Sequence, residues 1–325
     1  MTHRRQFLAA AGALGLYGLP GLLRAQSLET ARILVGFPAG GTVDAVARRL
    51  ADKMRGSYAK TVLVENKPGA GGRLAVEELK RSAPDGTTLL VTPAAMITLY
   101  PHLYTKLAYG IDDVTPVGTL AQVAFAFGVG PAVPDSVHNL KDFLAWAKTN
   151  PALANYGSPG AGSPPHMEGA LLSKESGVEL RHVPYRGSAP GIQDLLGGQV
   201  TAFSSPIGDY LPHLKSGKLR VLATSGPVRS RYAPNAPTYT EQGFKALEMM
   251  EWYGLFLPPK ASAELVQRAS AALRGAMAGA EVADGLAAFG LDVSVNSPAE
   301  LAKAVKEENA AWGPIVKRVG FTPEA

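Results

Sequence analysis

From Ala31 onward, short apolar runs alternate with amphipathic ones, and glycine, proline or a small hydroxyl stands at most of the junctions. That alternation predicts a parallel or mixed sheet covered by helices, an α/β fold. The first unit is the clearest. Ile33, Leu34 and Val35 read as a buried strand and Pro38-Ala39-Gly40-Gly41 as a turn, after which Val43, Val46, Ala47, Leu50 and Met54 fall on one face of a helix. A strand over 61–65, the glycine turn Pro68-Gly69-Ala70-Gly71-Gly72, a helix near 74–81 and a strand over 87–91 continue the pattern.

A second alternating block spans about 135–225. Helices are predicted near 140–148, 167–176, 192–196 and 210–216, and strands over 178–185, 200–204 and 219–224. The apolar stretch 252–257 reads as extended, and two long helical patterns follow at 263–278 and 298–317. A chain of 325 residues exceeds the usual size of one core, so two α/β domains are expected. Two strand-like passages, 124–129 and 252–257, are the expected hinge crossings. They divide the chain into one domain of residues 26–125 plus 255–325 and a second of residues 126–254.

The first residues predict export. Arg4 and Arg5 precede Phe7 and Leu8, an apolar run extends through Leu23, and small residues end it near Ala25, the layout of a signal peptide over 1–25. The arginine pair resembles a twin-arginine signal, with His3 and Ala9 departing from its usual flanks, so the ordinary secretory route stays open. A periplasmic location is expected. Loss of Arg4, Arg5 and Arg24 lowers the net charge from +5 to +2, and no basic stripe interleaved with aromatics remains, which argues against a nucleic-acid partner. Cysteine is absent, excluding disulfides, thiol catalysis and cysteine-ligated zinc.

Catalytic patterns are missing. Tyr156-Gly157-Ser158-Pro159-Gly160 has tyrosine where a nucleophile elbow needs glycine. Gly69-Ala70-Gly71-Gly72-Arg73-Leu74 lacks the third glycine of a dinucleotide fingerprint, and no phosphate-cradling loop occurs. The histidines at 3, 102, 138, 166, 182 and 213 show no pair at helical ligand spacing, so neither a metal nor any other cofactor is expected.

Instead, glycine and small hydroxyls recur where strands give way to helices. Unpaired backbone N–H groups and the positive end of the helix dipole converge there, and glycine lets an anion approach the backbone. Four such segments, 37–42, 92–95, 158–163 and 187–189, predict one cleft that takes a small organic carboxylate.

These residues resemble the Bug receptors, the solute-binding proteins of tripartite tricarboxylate transporter systems, also called the TctC family. The resemblance covers nearly all of the mature chain. It rests on Gly36-Phe37-Pro38-Ala39-Gly40-Gly41 with Asp44, Glu65-Asn66-Lys67-Pro68-Gly69-Ala70-Gly71-Gly72, Pro84-Asp85-Gly86, Tyr156-Gly157-Ser158 through His166, Val183-Pro184-Tyr185-Arg186-Gly187-Ser188-Ala189-Pro190, Gly217-Lys218-Leu219-Arg220, and Pro237-Thr238 with Glu241 and Gly243. It implies a two-domain periplasmic binding protein fold, type II-like, in which backbone amides and hydroxyls of facing loops hold a ligand carboxylate.

Carried over by position, Phe37, Ala39, Gly40, Gly41, Thr92, Ala94 and Ala95 would line one wall, and Ser158, Ser163, His166, Gly187, Ser188 and Ala189 the other. Asp44 would cap the first loop and helix, and Arg186 would pair with a distal carboxylate. Where relatives carry an acidic residue, after the strand expected to end at Phe203, this chain has Ser204, which disfavours an amino-acid ligand. The resemblance implies a monomeric receptor, not an enzyme, whose partners are transporter membrane subunits. A sensor kinase in their place, or a periplasmic hydrolase, is the alternative.

Overall fold

The computed structural model describes residues 28–322, so the export segment expected over 1–25 lies outside the described residues. The chain begins with β1 (Leu28–Val35), α1 (Thr42–Met54), β2 (Ala59–Asn66), α2 (Arg73–Arg81), β3 (Thr88–Pro93), the short helices α3 (Ala94–Thr98) and α4 (Tyr100–Leu103), and β4 (Thr115–Val123). It continues through β5 (Phe125–Val129), α5 (Leu140–Thr149), β6 (Asn155–Ser158), α6 (Pro164–Ser176), β7 (Arg181–Pro184), α7 (Ser188–Leu196), β8 (Ala202–Pro206), a 3-10 turn at Ile207–Asp209, α8 (Leu211–Leu214) and β9 (Arg220–Thr224). The last elements are β10 (Glu251–Leu257), α9 (Ala263–Met277), α10 (Ala280–Ala287), β11 (Asp292–Val293) and α11 (Pro298–Val319).

Two mixed sheets result, ordered β11-β4-β10-β3-β1-β2 and β7-β6-β8-β5-β9. In the first, β1 lies parallel to β2 and β3 while β10 runs antiparallel between β3 and β4. In the second, β6 is parallel to β7 and β8, and β5 runs antiparallel between β8 and β9.

Side chains alternate across β1. Ile33 and Val35 pack in a cluster with Val46, Leu50 and Met54 of α1, while Leu34 faces the opposite way with Val76 and Leu79 of α2 and Trp312 and Val316 of α11. Both faces of β1 are buried, which explains its unbroken apolar run. In the second sheet Phe127 packs on Phe143 edge to face with ring centroids 5.3 Å apart, joining α5 to β5. Helix α11 is bounded by local chemistry: Ser297 and Glu300 form a capping box, Pro298 takes the first turn and Gly320 ends it at φ 73°.

Only Ala124 separates β4 in one sheet from β5 in the other. The return crossing lies earlier than the sequence pattern suggests. Residues 252–257 sit wholly within β10 of the first sheet, so the chain has re-entered that sheet by Glu251. Ser225 ties the two crossings together: its Oγ accepts from Phe125 N (2.9 Å), its N–H donates to Phe125 O (3.0 Å) and its carbonyl accepts from Met249 N (2.9 Å).

Other boundaries differ as well. The strand expected over 178–185 covers only Arg181–Pro184, the helix expected over 210–216 only Leu211–Leu214, and β8 runs on to Pro206. Strand β4 was not read although it is nine residues long and mostly buried, and β6, β11 and helix α10 carry patterns too short or too polar to read. In β6, Gly157 has a packing reason, since a Cβ there would strike the ring of Phe203. No helix among the described residues is long and apolar enough to cross a membrane.

Candidate functional site

The parallel strands β1, β3, β6, β7 and β8 deliver their carboxyl ends to loops, where open α/β sheets place their ligands. After β1, Phe37 is half-buried and Pro38 to Gly41 are exposed. Gly41 is the N-cap of α1 and no side chain caps that helix, so its first amides stay available to an anion. Gly40 adopts φ 85°, whereas Gly41 has an ordinary extended backbone at φ −79° and ψ 172°.

Asp44 braces this loop but does not cap α1, contrary to expectation. It accepts from Gly40 N (2.9 Å), Arg48 Nε (2.8 Å) and Asn66 Nδ2 (2.9 Å), and Asn66 Nδ2 also donates to Phe37 O (3.0 Å). Burial opposes the charge on Asp44, but the bonds from Arg48, Gly40 and Asn66 outweigh it and hold the carboxyl below the ordinary range.

After β3 the arrangement differs from expectation. Ala94 and Ala95 are buried, and their amides are taken by Glu251 of β10, with Ala95 N 3.2 Å from Glu251 Oε1. The chain supplies its own carboxylate to the start of α3. Burial, aided by Glu308, pushes Glu251 up to about 8 against those amide bonds. Glu308 accepts from Trp252 Nε1 (2.6 Å), Thr98 Oγ1 (2.9 Å) and Trp312 Nε1 (3.2 Å). Thr92 is 2% exposed and pairs with Gly254 in the sheet.

In the second sheet Ser158 is fully buried at the end of β6, with Oγ 2.7 Å from His182 Nε2 and 3.0 Å from Gly160 O. Ser163 is occupied as the N-cap of α6, accepting from His166 N (3.3 Å) and donating to Gly160 O (2.8 Å). His166 accepts from Gly162 N at Nδ1 (3.0 Å), an arrangement that requires Nδ1 unprotonated. Burial lowers His166 to about 4, and burial with the neighbouring His166 lowers His182 to about 3. Ser158, Ser163 and His166 therefore shape this wall through contacts to protein atoms.

At the end of β7, Arg186 is exposed, and Gly187 at φ 102° donates its N–H to Pro159 O (2.9 Å), which joins the two loops. No side chain caps α7, whose first residues are Ser188 and Ala189. Ser204 lies inside β8, fully buried, and its hydroxyl donates to Glu168 Oε2 rather than opening onto a loop. Burial pushes Glu168 up to about 8, against the bonds from Ser204 and Tyr239.

The acidic group at this end of the sheet is instead Asp209, which sequence reasoning missed because the strand was expected to stop at Phe203. The hydroxyls of Ser188 and Ser205 lie alongside it, and its Oδ2 is buried with no hydrogen-bond partner among the described residues. Burial raises the Asp209 carboxyl above its ordinary range despite those hydroxyls. Tyr253 of the first sheet stands within its electrostatic reach.

The loops of the second sheet touch the first lobe at the end of α4 and after α10. A Cβ at Gly162 would lie 3.0 Å from Leu103 Cδ1, and Gly208, beside Asp209, abuts Phe289 O. A concavity of about 430 Å³ runs along α6, lined by Tyr156, His166, Lys174, Glu179, His182 and Val319 among others. Lys174 and Glu179 give it no preference for an anion. No cluster of metal-ligating side chains occurs among the described residues.

Two α/β domains joined by two crossings, with starts of α1 and α7 that no side chain caps, mark the periplasmic binding protein class. Solved structures bear this out: the periplasmic binding protein BugD aligns at 29% identity, TM-score 0.80, over 91% of this chain and 99% of its own. MatC from Rhodopseudomonas palustris with bound malate aligns at 29% identity, TM-score 0.78, over 88% and 98%. Rpa4515 of the same organism with adipate aligns at 27%, TM-score 0.81, over 91% and 98%. The chain belongs to the TctC family, the tripartite tricarboxylate transporter family receptors, whose family model matches residues 46–321.

Proposed function

We propose that this receptor captures a small organic carboxylate between the start of α1 and the start of α7 and delivers it to the membrane subunits of a tripartite tricarboxylate transporter. The single observation that carries the reading is that both helix starts, one on each wall, lack any capping side chain. Unsatisfied amides at a helix start cost free energy unless water or an anion meets them. The malate bound to MatC and the adipate bound to Rpa4515 support the ligand class.

Within this reading Phe37, Ala39, Gly40 and Gly41 form one wall and Gly187, Ser188 and Ala189 the other, with Arg186 at the rim for a distal carboxylate. Thr92, Ser158, Ser163 and His166 hold the walls in place. Residues 26–125 with 255–325 and residues 126–254 are taken as the two bodies, the return boundary shifting to about 250 because β10 is part of the first sheet. We take the protein as a monomer exported to the periplasm.

Receptor rather than enzyme is favoured by the state of Ser158. Its hydroxyl sits beside His182 yet is fully buried, and no carboxylate bonds to His182 among the described residues, so the pair has neither access to substrate nor an orienting acid. Thermal shift against a panel of mono- and dicarboxylates tests the function. A ligand bound only by the folded state stabilises it by about 2.7 kcal/mol at roughly a hundredfold excess over Kd. Acids should raise Tm and their neutral amides should not; a shift from neutral sugars alone would overturn the ligand class.

A further inference from the structure

Asp209 is out of place in a cleft built for anions. It follows β8 in the 3-10 turn Ile207–Asp209, and its neighbours are Ser188, the first residue of the uncapped helix α7, and Ser205. Its Oδ2 is withdrawn from solvent and meets no hydrogen-bond donor among the described residues. An acceptor left bare in this way is costly, more so when charged, and a charged partner would recover that cost. Gly208 is held against Phe289 O and Ile207 N donates to Ala124 O (3.0 Å), so the turn that carries Asp209 is anchored to the first domain and to the crossing.

A carboxylate seated on the first amides of α7 would lie next to that bare oxygen. Two carboxylates side by side repel unless a donor stands between them. We propose that Asp209 is a specificity-determining residue that accepts a hydrogen bond from a hydroxyl or ammonium on the carbon adjoining the ligand's bound carboxylate, so that the receptor selects 2-hydroxy or 2-amino acids over their unsubstituted parents. The inference rests on the carboxylate reading above and adds to it a second recognised group.

Raised burial keeps the charged form of Asp209 costly when the cleft is empty, and a donor from the ligand removes that cost. The hydroxyls of Ser188 and Ser205 bond the same carboxyl, and Ser188 opens α7. The unsubstituted acid offers Oδ2 nothing.

Calorimetric titration of the wild-type protein, Asp209→Ala and Asp209→Asn with matched trios decides the matter: propionate, lactate and alanine; succinate, malate and aspartate; hydrocinnamate, phenyllactate and phenylalanine. In the trio that fits the cavity, the hydroxy or amino acid should bind the wild type at least tenfold tighter than its parent. In Asp209→Ala the ratio should collapse to within threefold, partly because the parent acid binds tighter once the repulsion is gone. Which substituted member leads separates a hydroxyl donor from an ammonium. A wild-type ratio within threefold in every trio that binds, or a preference kept by both folded variants, overturns the assignment. If no acid of any trio binds the wild type, the carboxylate reading itself has failed, a result distinct from an unaltered ratio.

Discussion

His166 and His182 stack face to face, their ring centroids 3.7 Å apart and their planes within 9°. Each ring is held neutral by burial, and a second positive charge at that separation would add to the cost. Folded-state values of about 4 and about 3 lie below the ordinary 6.5, so the unfolded chain binds more protons between them. Stability is therefore expected to fall as pH drops from about 6.5 toward 4. Urea unfolding across that range checks this, and His182→Gln should flatten the slope.

Glu168 and Glu251 carry the opposite sign. Both are pushed up to about 8 from 4.5, so the folded state holds protons that the unfolded chain has released. Their contribution is present below about 4.5 and lost as pH rises through 8. Between pH 6.5 and 8 each costs on the order of 2 kcal/mol. Glu251→Gln keeps an acceptor for the amides of Ala94 and Ala95 and should remove its share of the decline in urea midpoints.

Gly40 and Gly41 separate backbone conformation from access. Gly40→Ala places a side chain at φ 85° in open space, so it should cost about 1 kcal/mol of stability. Gly41→Val meets only Pro38 O, at 3.6 Å from its Cβ, in a backbone conformation that valine adopts freely. It should fold with stability within about 0.5 kcal/mol of wild type and lose carboxylate affinity by obstructing the start of α1. Calorimetric titration beside thermal unfolding distinguishes the two; native affinity in Gly41→Val would take this loop out of the site.

Asp44→Ala should harm both properties. It leaves Gly40 N, Arg48 and Asn66 without their shared acceptor, at about 1–3 kcal/mol, and frees the 38–41 loop. A lower Tm together with weaker binding is the expected outcome. Weakened binding at native Tm would contradict a bracing role.

The first βα unit was legible because both faces of β1 are buried and α1 presents its apolar residues at helical spacing. Helices α9 and α11 were legible for the second reason. The end of β8 was not: Ser204, Ser205 and Pro206 look like a loop by composition, yet Ser204 is polar inside a core because Glu168 waits there to accept its hydroxyl. Reading that segment as a loop hid Asp209. Glu251 escaped notice for a related reason, since the position at which β10 re-enters the first sheet depends on pairing with Pro93 and Val123, which no local pattern encodes. The small residues after β3 signalled a helix start; that Glu251 of the chain itself takes its first amides could be learned only from the fold.

The central place of β10 in the first sheet bears on the order in which the molecule is made. Strand β4 has only β10 and β11 as neighbours, and both are translated more than a hundred residues later. The strands of the second sheet all lie between Phe125 and Thr224, so that sheet can pair while β4 still waits for its partner. Maturation of the first lobe is thus tied to completion of the polypeptide, and a nascent chain halted before Glu251 would hold a paired second sheet, still without the α11 that packs on α6, beside an open-edged first sheet.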